Sequence, residues 1–247
     1  MSARSEHPHA PRRARADDDG RLPARTPSPL ARPLVARGAR RRGFGTALAE
    51  LSSTLTPRLV RLDPTRVGGA IDTKHWSSRH RRAAVLDGDW DLARVTRPII
   101  ERTIAQLASG VPPTETEQYR HMLALIDRGS TEWNYHCTTE EEVHAYFERL
   151  VQAWEAIRAG DYRTQEQLGG QPGDEIEVHV GRDGTILIGQ YGNHRLVMAR
   201  TAGLRAVPMQ VRTLHARWAR WCWDRHGPPL QEALLQGLAD RGARALE

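Results

Sequence analysis

The sequence predicts an α+β fold: a helical N-terminal portion packed on a small sheet, with a glycine turn leading into a short helix. Three observations predict it. Apolar residues recur at helical spacing between residues 92 and 159. At residue 174 the period changes to two, which is the signature of strands. A strand then runs through Gly189 and Gly192 almost directly into His194-Arg195, where a helix begins.

Each element has its own local reason. Thr46 to Leu55 suits a short helix, with Leu48, Leu51 and Leu55 on one face and Pro57 beyond its end. Residues 61–90 mix Gly, Asp, His and Trp without a clear period. Pro98 sits early enough to start a helix, and Gly110 is placed to stop it. Thr114 and Glu117 have capping-box spacing, and Tyr119, Met122, Leu123 and Ile126 then share a face that ends at Gly129. Thr138 and Glu141 repeat the pattern ahead of Val143, Tyr146, Phe147, Leu150, Val151, Trp154 and Ile157, with Gly160 as the stop. Ile176, Val178 and Val180 alternate with Glu177 and His179. Gly181-Arg182-Asp183-Gly184 is a hairpin turn, and 185–189 is the returning strand. Residues 194–202 form a short helix stopped by Gly203, and Val207, Met209 and Val211 mark a third strand. A last helix spans Leu230 to about Ala243.

Charge is unevenly placed. Of the 247 residues, the first 43 hold eleven arginines against four acidic residues, so the chain's net charge of +6 sits entirely in this Pro- and Arg-rich segment. Such a composition cannot bury enough surface to offset its ordering entropy, and residues 1–43 are expected to be a disordered tail. The neutral body does not advertise broad phosphate-backbone binding. Lys74 is the only lysine, which reads as genome composition more than selection for anion binding. No run approaches the roughly 18 apolar residues that a membrane span needs, so no membrane partner is expected. The first thirty residues lack an apolar signal region. Cys137 and Cys222 form no CxxC pair, so a disulfide scaffold and a cysteine zinc site are not expected, and the cytoplasm is the expected compartment.

The chemistry concentrates at Gly189-Gln190-Tyr191-Gly192-Asn193-His194-Arg195. A helix N-terminus offers free backbone N–H groups and the positive end of the dipole. Gly192 lets an anion approach the backbone, and His194 and Arg195 add donors, so the turn reads as a phosphate or carboxylate site. The plainer reading is a strand-to-helix corner with a local cap and a solvated arginine. Glu175, Glu177 and His179 lie one pleat apart and project to one face, either to meet a metal ion or act as general base, or as an exposed polar face, which is preferred. Asp87, Asp89 and Asp91 surround Trp90 as a cation site or a capped turn. His215, Arg217 and Trp218 follow the third strand, within reach of the same site. Trp218, Trp221 and Trp223 read as core rather than base-stacking residues. Cys222 and His226 have helical spacing, but two ligands do not make a zinc site.

The run Asp174–Gly184, then Gly192-Asn193-His194-Arg195-Leu196, then Gly203-Leu204-Arg205-Ala206-Val207-Pro208, resembles the ParB/sulfiredoxin superfamily. More narrowly it is similar to the ParB-like nuclease-domain proteins of prokaryotes, which share the Gly88–Asp91 segment and a step like Tyr162-Arg163-Thr164-Gln165. The resemblance covers about residues 85–218. It implies a ParB/sulfiredoxin-like mixed sheet whose Gly192, Asn193, His194 and Arg195 hold nucleotide phosphates. Members differ in chemistry: ParB proteins hydrolyse CTP and act on DNA, sulfiredoxins use ATP to repair an oxidised cysteine, and another branch phosphorylates free serine using ADP. Sulfiredoxin carries its catalytic Cys where this chain has Asn193, so that activity is rejected. No ParB helix-turn-helix DNA module is evident, and the residues after the third strand are too few for that module and a dimerisation domain, so chromosome segregation is not expected.

The expected organisation is a tail (1–43), a mainly helical region (44–165), a ParB/sulfiredoxin-like core (166–225) and a C-terminal helix (226–247). The first functional reading is a nucleotide-binding protein, an NTPase or phosphotransferase taking ATP or CTP with room for Mg2+. In that reading Glu175 and Glu177 are the candidate catalytic acids. A nucleic-acid or nuclease module and a non-catalytic partner-binding domain are the alternatives, and no particular protein partner is indicated.

Overall fold

A computed structural model describes residues 44–48, 58–72, 83–130, 135–171, 174–240 and 244–245. The tail expected over residues 1–43 therefore lies outside the described residues. In chain order the elements are β1 (Arg58–Leu62), β2 (Val67–Ile71), β3 (Val85–Leu86), β4 (Arg94–Val95), α1 (Pro98–Ala108), α2 (Glu117–Asp127), α3 (Glu140–Arg158), β5 (Ile176–Val180), β6 (Ile186–Ile188), α4 (Asn193–Thr201), β7 (Val207–His215), α5 (Ala216–His226), α6 (Leu230–Ala239) and β8 (Arg244–Ala245). Residues 44–48 are also helical.

The strands form one mixed sheet in the order β4-β2-β6-β5-β7-β1-β8, with β3 pairing β7. β5 and β6 are the hairpin that Asp183-Gly184 signals, with Val180 opposite Ile186. β5 and β7 run parallel, and α4 lies on the crossover between them, as a parallel pair requires. Four strands come from residues 58–95, inside the stretch whose sequence reads as mainly helical. They escape a periodicity reading because each is two to five residues long and β2 contains Gly68-Gly69.

α3 carries the apolar stripe its period demands, with Val143, Phe147, Leu150, Trp154 and Ile157 buried. Its capping box is shifted by one residue from the expected pair: the Thr139 hydroxyl accepts from the Glu142 N–H, and the Glu142 carboxylate accepts from the N–H of Thr138 and Thr139. Those bonds hold the Glu142 carboxyl below its ordinary value. Thr114 does not cap α2. A short 3-10 turn at Pro113–Glu115 intervenes, Thr116 takes the N-cap position, and Glu117 binds Arg102 instead.

The interior has a helical part and a sheet part that meet at α4. Leu196 and Ala199 of α4 pack with the sheet residues, while Met198 packs with Ile104, Met122 and Phe147 of the first three helices. The helix at residues 44–48 joins the sheet side, where Phe44 meets the Trp223 ring edge-on at 5.8 Å. On the opposite sheet face Leu187, Ile71, Leu86 and Trp90 form a third cluster. No helix among the described residues is long and apolar enough to cross a membrane.

Trp154 thus belongs to this chain's own interior, 7% exposed. Trp154→Ala should lower stability by about 3–5 kcal/mol, read as a shift in the urea or guanidinium midpoint. A shift under about 1 kcal/mol would mean that the stripe is not closed against the neighbouring helices.

Candidate functional site

The turn between β6 and α4 is fixed by what glycine lacks. Gly192 is the N-cap of α4 at φ 77°, in the left-handed region. A Cβ there would lie 2.5 Å from Ile176 Cα and 3.0 Å from its backbone nitrogen. The glycine is therefore required by the closeness of β5, and the side expected to admit an anion is filled by Ile176. Leu196 N–H closes the first helical bond to the Gly192 carbonyl. The N–H groups ahead of it have no acceptor within the helix, and no side chain among the described residues caps them.

The three side chains that follow turn inward. Asn193, 9% exposed, donates to the Gln190 carbonyl at 3.0 Å. His194 donates through Nε2 to Gln118 Oε1 at 2.8 Å, with the Tyr135 and Tyr146 rings edge-on to it. Burial, with the Arg97 charge adding to it, pulls His194 down to about 4, so the imidazole is neutral at pH 7. Arg195 donates to Glu175 Oε2 at 2.9 Å and to the Arg163 carbonyl, and its guanidinium covers the Tyr162 ring at 4.6 Å. Glu175 is 1% exposed and also accepts from the Gln165 N–H. It is the counter-ion of Arg195, which sets it apart from its expected role as a catalytic acid.

Glu177 is placed differently. All five residues of β5 are buried, so the preferred reading of an exposed polar strand face does not hold. The His179 Nε2 donates to Glu177 Oε1 at 2.9 Å, and Arg212 Nε lies 3.5 Å from the other oxygen. Burial alone would raise the Glu177 carboxyl. The His179 bond, the charges of His179 and Arg212 and the Gln190 N–H outweigh burial and hold it below the usual range. Gly189 pairs with Glu177 across the hairpin end, and a Cβ there would run into both side chains, 2.5 Å from His179 Nε2. The Trp90 ring closes over this pair, edge-on to His179 at 6.1 Å and stacked on His215 at 5.8 Å.

The aspartate turn holds a guanidinium rather than a metal ion. Asp89 and Asp91 both accept from Arg182 Nη2 at 2.7 Å, and the Gly88 carbonyl accepts at 2.9 Å. Burial would raise Asp91, and the Arg182 hydrogen bonds overcome it and lower it. Asp87 accepts from the Gly88 N–H. Among the described residues no group of three His, Cys, Asp or Glu could hold a metal ion. His215 lies in this neighbourhood, donating to the Gly88 carbonyl at 2.8 Å while its Nδ1 accepts from the Arg217 N–H and caps α5. Arg217 is exposed, Trp218 is buried in the core, Trp223 is partly buried, and Trp221 is exposed. Cys222 is buried against Gly237, while His226 faces Asp240 at 3.3 Å.

The residue that sequence reasoning misses is Arg97. It is the N-cap of α1 and lines a cleft of about 270 Å³ with Ala70, Val95, Ile188, Asn193 and Arg200. Its Nη1 lies 3.5 Å from the Gln190 carbonyl, which also accepts from Asn193. The Gln190 peptide therefore has the carboxylate of Glu177 on its N–H side and Arg97 with the start of α4 on its carbonyl side. One signal was present in the sequence: an arginine directly before Pro98, at the cap of a helix where Ser, Thr, Asp or Asn belongs.

The fold and site together define a mixed α/β protein with a buried carboxylate–imidazole pair and an arginine-lined cleft on either side of one peptide. No family model, curated protein or solved structure matches the chain.

Two outcomes follow. Gly192→Ala should destabilise by about 2–5 kcal/mol, combining left-handed strain with overpacking on Ile176, and a denaturant midpoint unchanged from wild type would refute the clamp. His194 titrates at 6.5 unfolded and at about 4 folded. Between those values the unfolded chain binds the extra proton. Its contribution is complete above pH 6.5 and is lost as pH falls towards 4, by about 3 kcal/mol. Denaturation of wild type and His194→Gln at pH 7 and pH 4.5 should show a smaller acid loss in the variant.

Proposed function

We propose that this chain is a nucleotide-binding protein of the ParB/sulfiredoxin-like kind, an NTPase or phosphotransferase. The ligand phosphates lie at Gly192-Asn193-His194-Arg195, on the backbone N–H groups that open α4. Glu177, paired with His179, is the proton-accepting group. Glu175 is not needed in that role, because it is taken up by Arg195.

The observation that carries this reading is the Gln190 peptide. It sets the buried carboxylate–imidazole pair of β5 next to an arginine and a helix start that no side chain among the described residues caps. Phosphoryl transfer uses those parts: positioned positive charge for the transferring group, and an acceptor for the attacking proton. A water or substrate hydroxyl gives its proton to the Glu177–His179 pair and its oxygen forms the new bond to the terminal phosphorus. The bond from that phosphorus to the bridging oxygen breaks, and the shortened nucleotide leaves. Mg2+, where the reaction uses it, enters on the nucleotide phosphates, since the described residues offer no cluster of three ligands.

Calorimetric titration of the full chain with ATP and CTP, with and without Mg2+, tests the reading. Saturable binding that changes little with salt supports it. Binding only to oligonucleotides, weakening steeply between low and physiological salt, would favour the nucleic-acid alternative. Glu177→Gln should keep nucleotide binding and lose turnover by about 10²- to 10⁴-fold, the usual worth of a positioned base. Unchanged turnover in that variant would remove Glu177 from the chemistry.

A further inference from the structure

The buried and half-buried arginines around the sheet differ in how fully they are engaged. Arg182 donates to Asp89, Asp91 and the Gly88 carbonyl. Arg195 is held by Glu175 and the Arg163 carbonyl. Arg200 donates to the carbonyls of Pro64 and Val67. Arg97, half-buried at the mouth of the cleft, makes one long hydrogen bond among the described residues, 3.5 Å to the Gln190 carbonyl. Among the described residues no carboxylate forms an ion pair with it. Asp72 and Glu177 act on it only through their charge.

Its position opposes its charge. As N-cap of α1, Arg97 sits at the positive end of a helix dipole and supplies no cap bond. Burial pulls its guanidinium below its ordinary value, and Tyr135, Asp72 and Glu177 only partly offset this. A serine or aspartate would serve the helix better. A cation kept where both dipole and burial disfavour it is stabilised when an anion arrives, because a charge-assisted bond is stronger in a site of low dielectric.

The cleft beside it limits the rest of the ligand. Ala70, Val95, Ile188 and Val197 give it apolar walls, and Asn193 and Thr96 add polar groups. At about 270 Å³ it is at the small end of ligand pockets, the size for one ring rather than a whole nucleoside triphosphate.

Resting on the nucleotide reading, we propose that Arg97, not Arg195, is the side chain that binds the ligand's phosphate, and that the cleft lined by Ile188 and Val197 seats the ring of the same ligand. Arg195 is then a positioning residue that fixes the start of α4 through Glu175.

The test uses the full chain and two probes, pyrophosphate and whichever of ATP or CTP binds more tightly. Arg97→Ser should weaken both by about 10- to 150-fold, the loss of one charge-assisted bond, and Arg97→Lys should recover part of it. The same Arg97→Ser protein should melt no lower than wild type, since serine caps α1 and relieves the dipole. A structural role for Arg97 predicts a lower melting temperature and would overturn the proposal. Val197→Phe, which fills the cleft, should weaken the nucleotide at least tenfold and leave pyrophosphate unchanged. If Arg97→Ser binds both probes as wild type does, the phosphate assignment fails while the nucleotide reading stands. Equal nucleotide affinity in Val197→Phe overturns the ring seat. If the wild-type chain binds neither probe, the nucleotide reading fails and this proposal with it.

Discussion

The site depends on how closely β5 approaches the turn that follows β6. Two glycines permit that approach from opposite ends of a four-residue segment. Gly192 lies against the backbone of Ile176, and Gly189 lies against the tips of Glu177 and His179. Between them Gln190 can turn its N–H to one functional group and its carbonyl to another. A side chain at Gly192 would meet the backbone of Ile176 and separate β5 from the turn, whereas one at Gly189 would displace the Glu177 and His179 side chains from their pairing. The backbone contact cannot relax as a flexible side chain can, so the geometry at Gly192 is held by packing.

Buried charge follows from the same arrangement. Glu177 on β5 and Glu175 immediately before that strand lie two residues apart and are both almost fully removed from solvent. Each has a dedicated partner, as a buried acidic side chain requires. Glu175 has Arg195, which is 12% exposed, in an arrangement closed further by Tyr162 and the Arg163 carbonyl. Glu177 has His179 and a more distant Arg212. A buried pair of this sort adds little net stability, because desolvation offsets the attraction. Its effect is directional: breaking either pair leaves a bare buried charge, so the register of β5 against α4 is strongly specified.

The layout of helices was legible where periodicity was long. α3 runs 19 residues and carries its stripe as read, and the Asp183-Gly184 turn marks the β5–β6 hairpin. The strands β1 to β4 were not legible, because segments of two to five residues, one of them interrupted by Gly68-Gly69, are too short to count an alternation. The site was legible as a location and not as a set of roles. The sequence places Gly192 to Arg195 at a strand-to-helix corner, but it cannot tell that Asn193, His194 and Arg195 find partners at Gln190, Gln118 and Glu175. Two of those three partners lie 20 or more residues away in the chain. The same distance hides the link between the aspartates of residues 89–91 and Arg182, which looks like a cation site until the guanidinium is seen to fill it.

Composition hides Arg97 in the sequence. In a chain with one lysine, nearly every cation is arginine, so residue type carries no information about role. Hydrogen-bond engagement does. A guanidinium has five N–H donors in a rigid fork, and a structural arginine uses several of them on carbonyls and carboxylates. Arg182, Arg195 and Arg200 follow that rule. Arg97 does not, and its neighbour His194 is neutral at physiological pH because burial and the Arg97 charge both disfavour protonation. The imidazole is thereby confined to fixing α4 against Gln118, and the cations lining the cleft are Arg97 and Arg200, of which Arg200 is engaged by the carbonyls of Pro64 and Val67. A protonated His194 would place a second like charge beside Arg97 in a poorly solvated space, so burial and the guanidinium together keep the imidazole neutral.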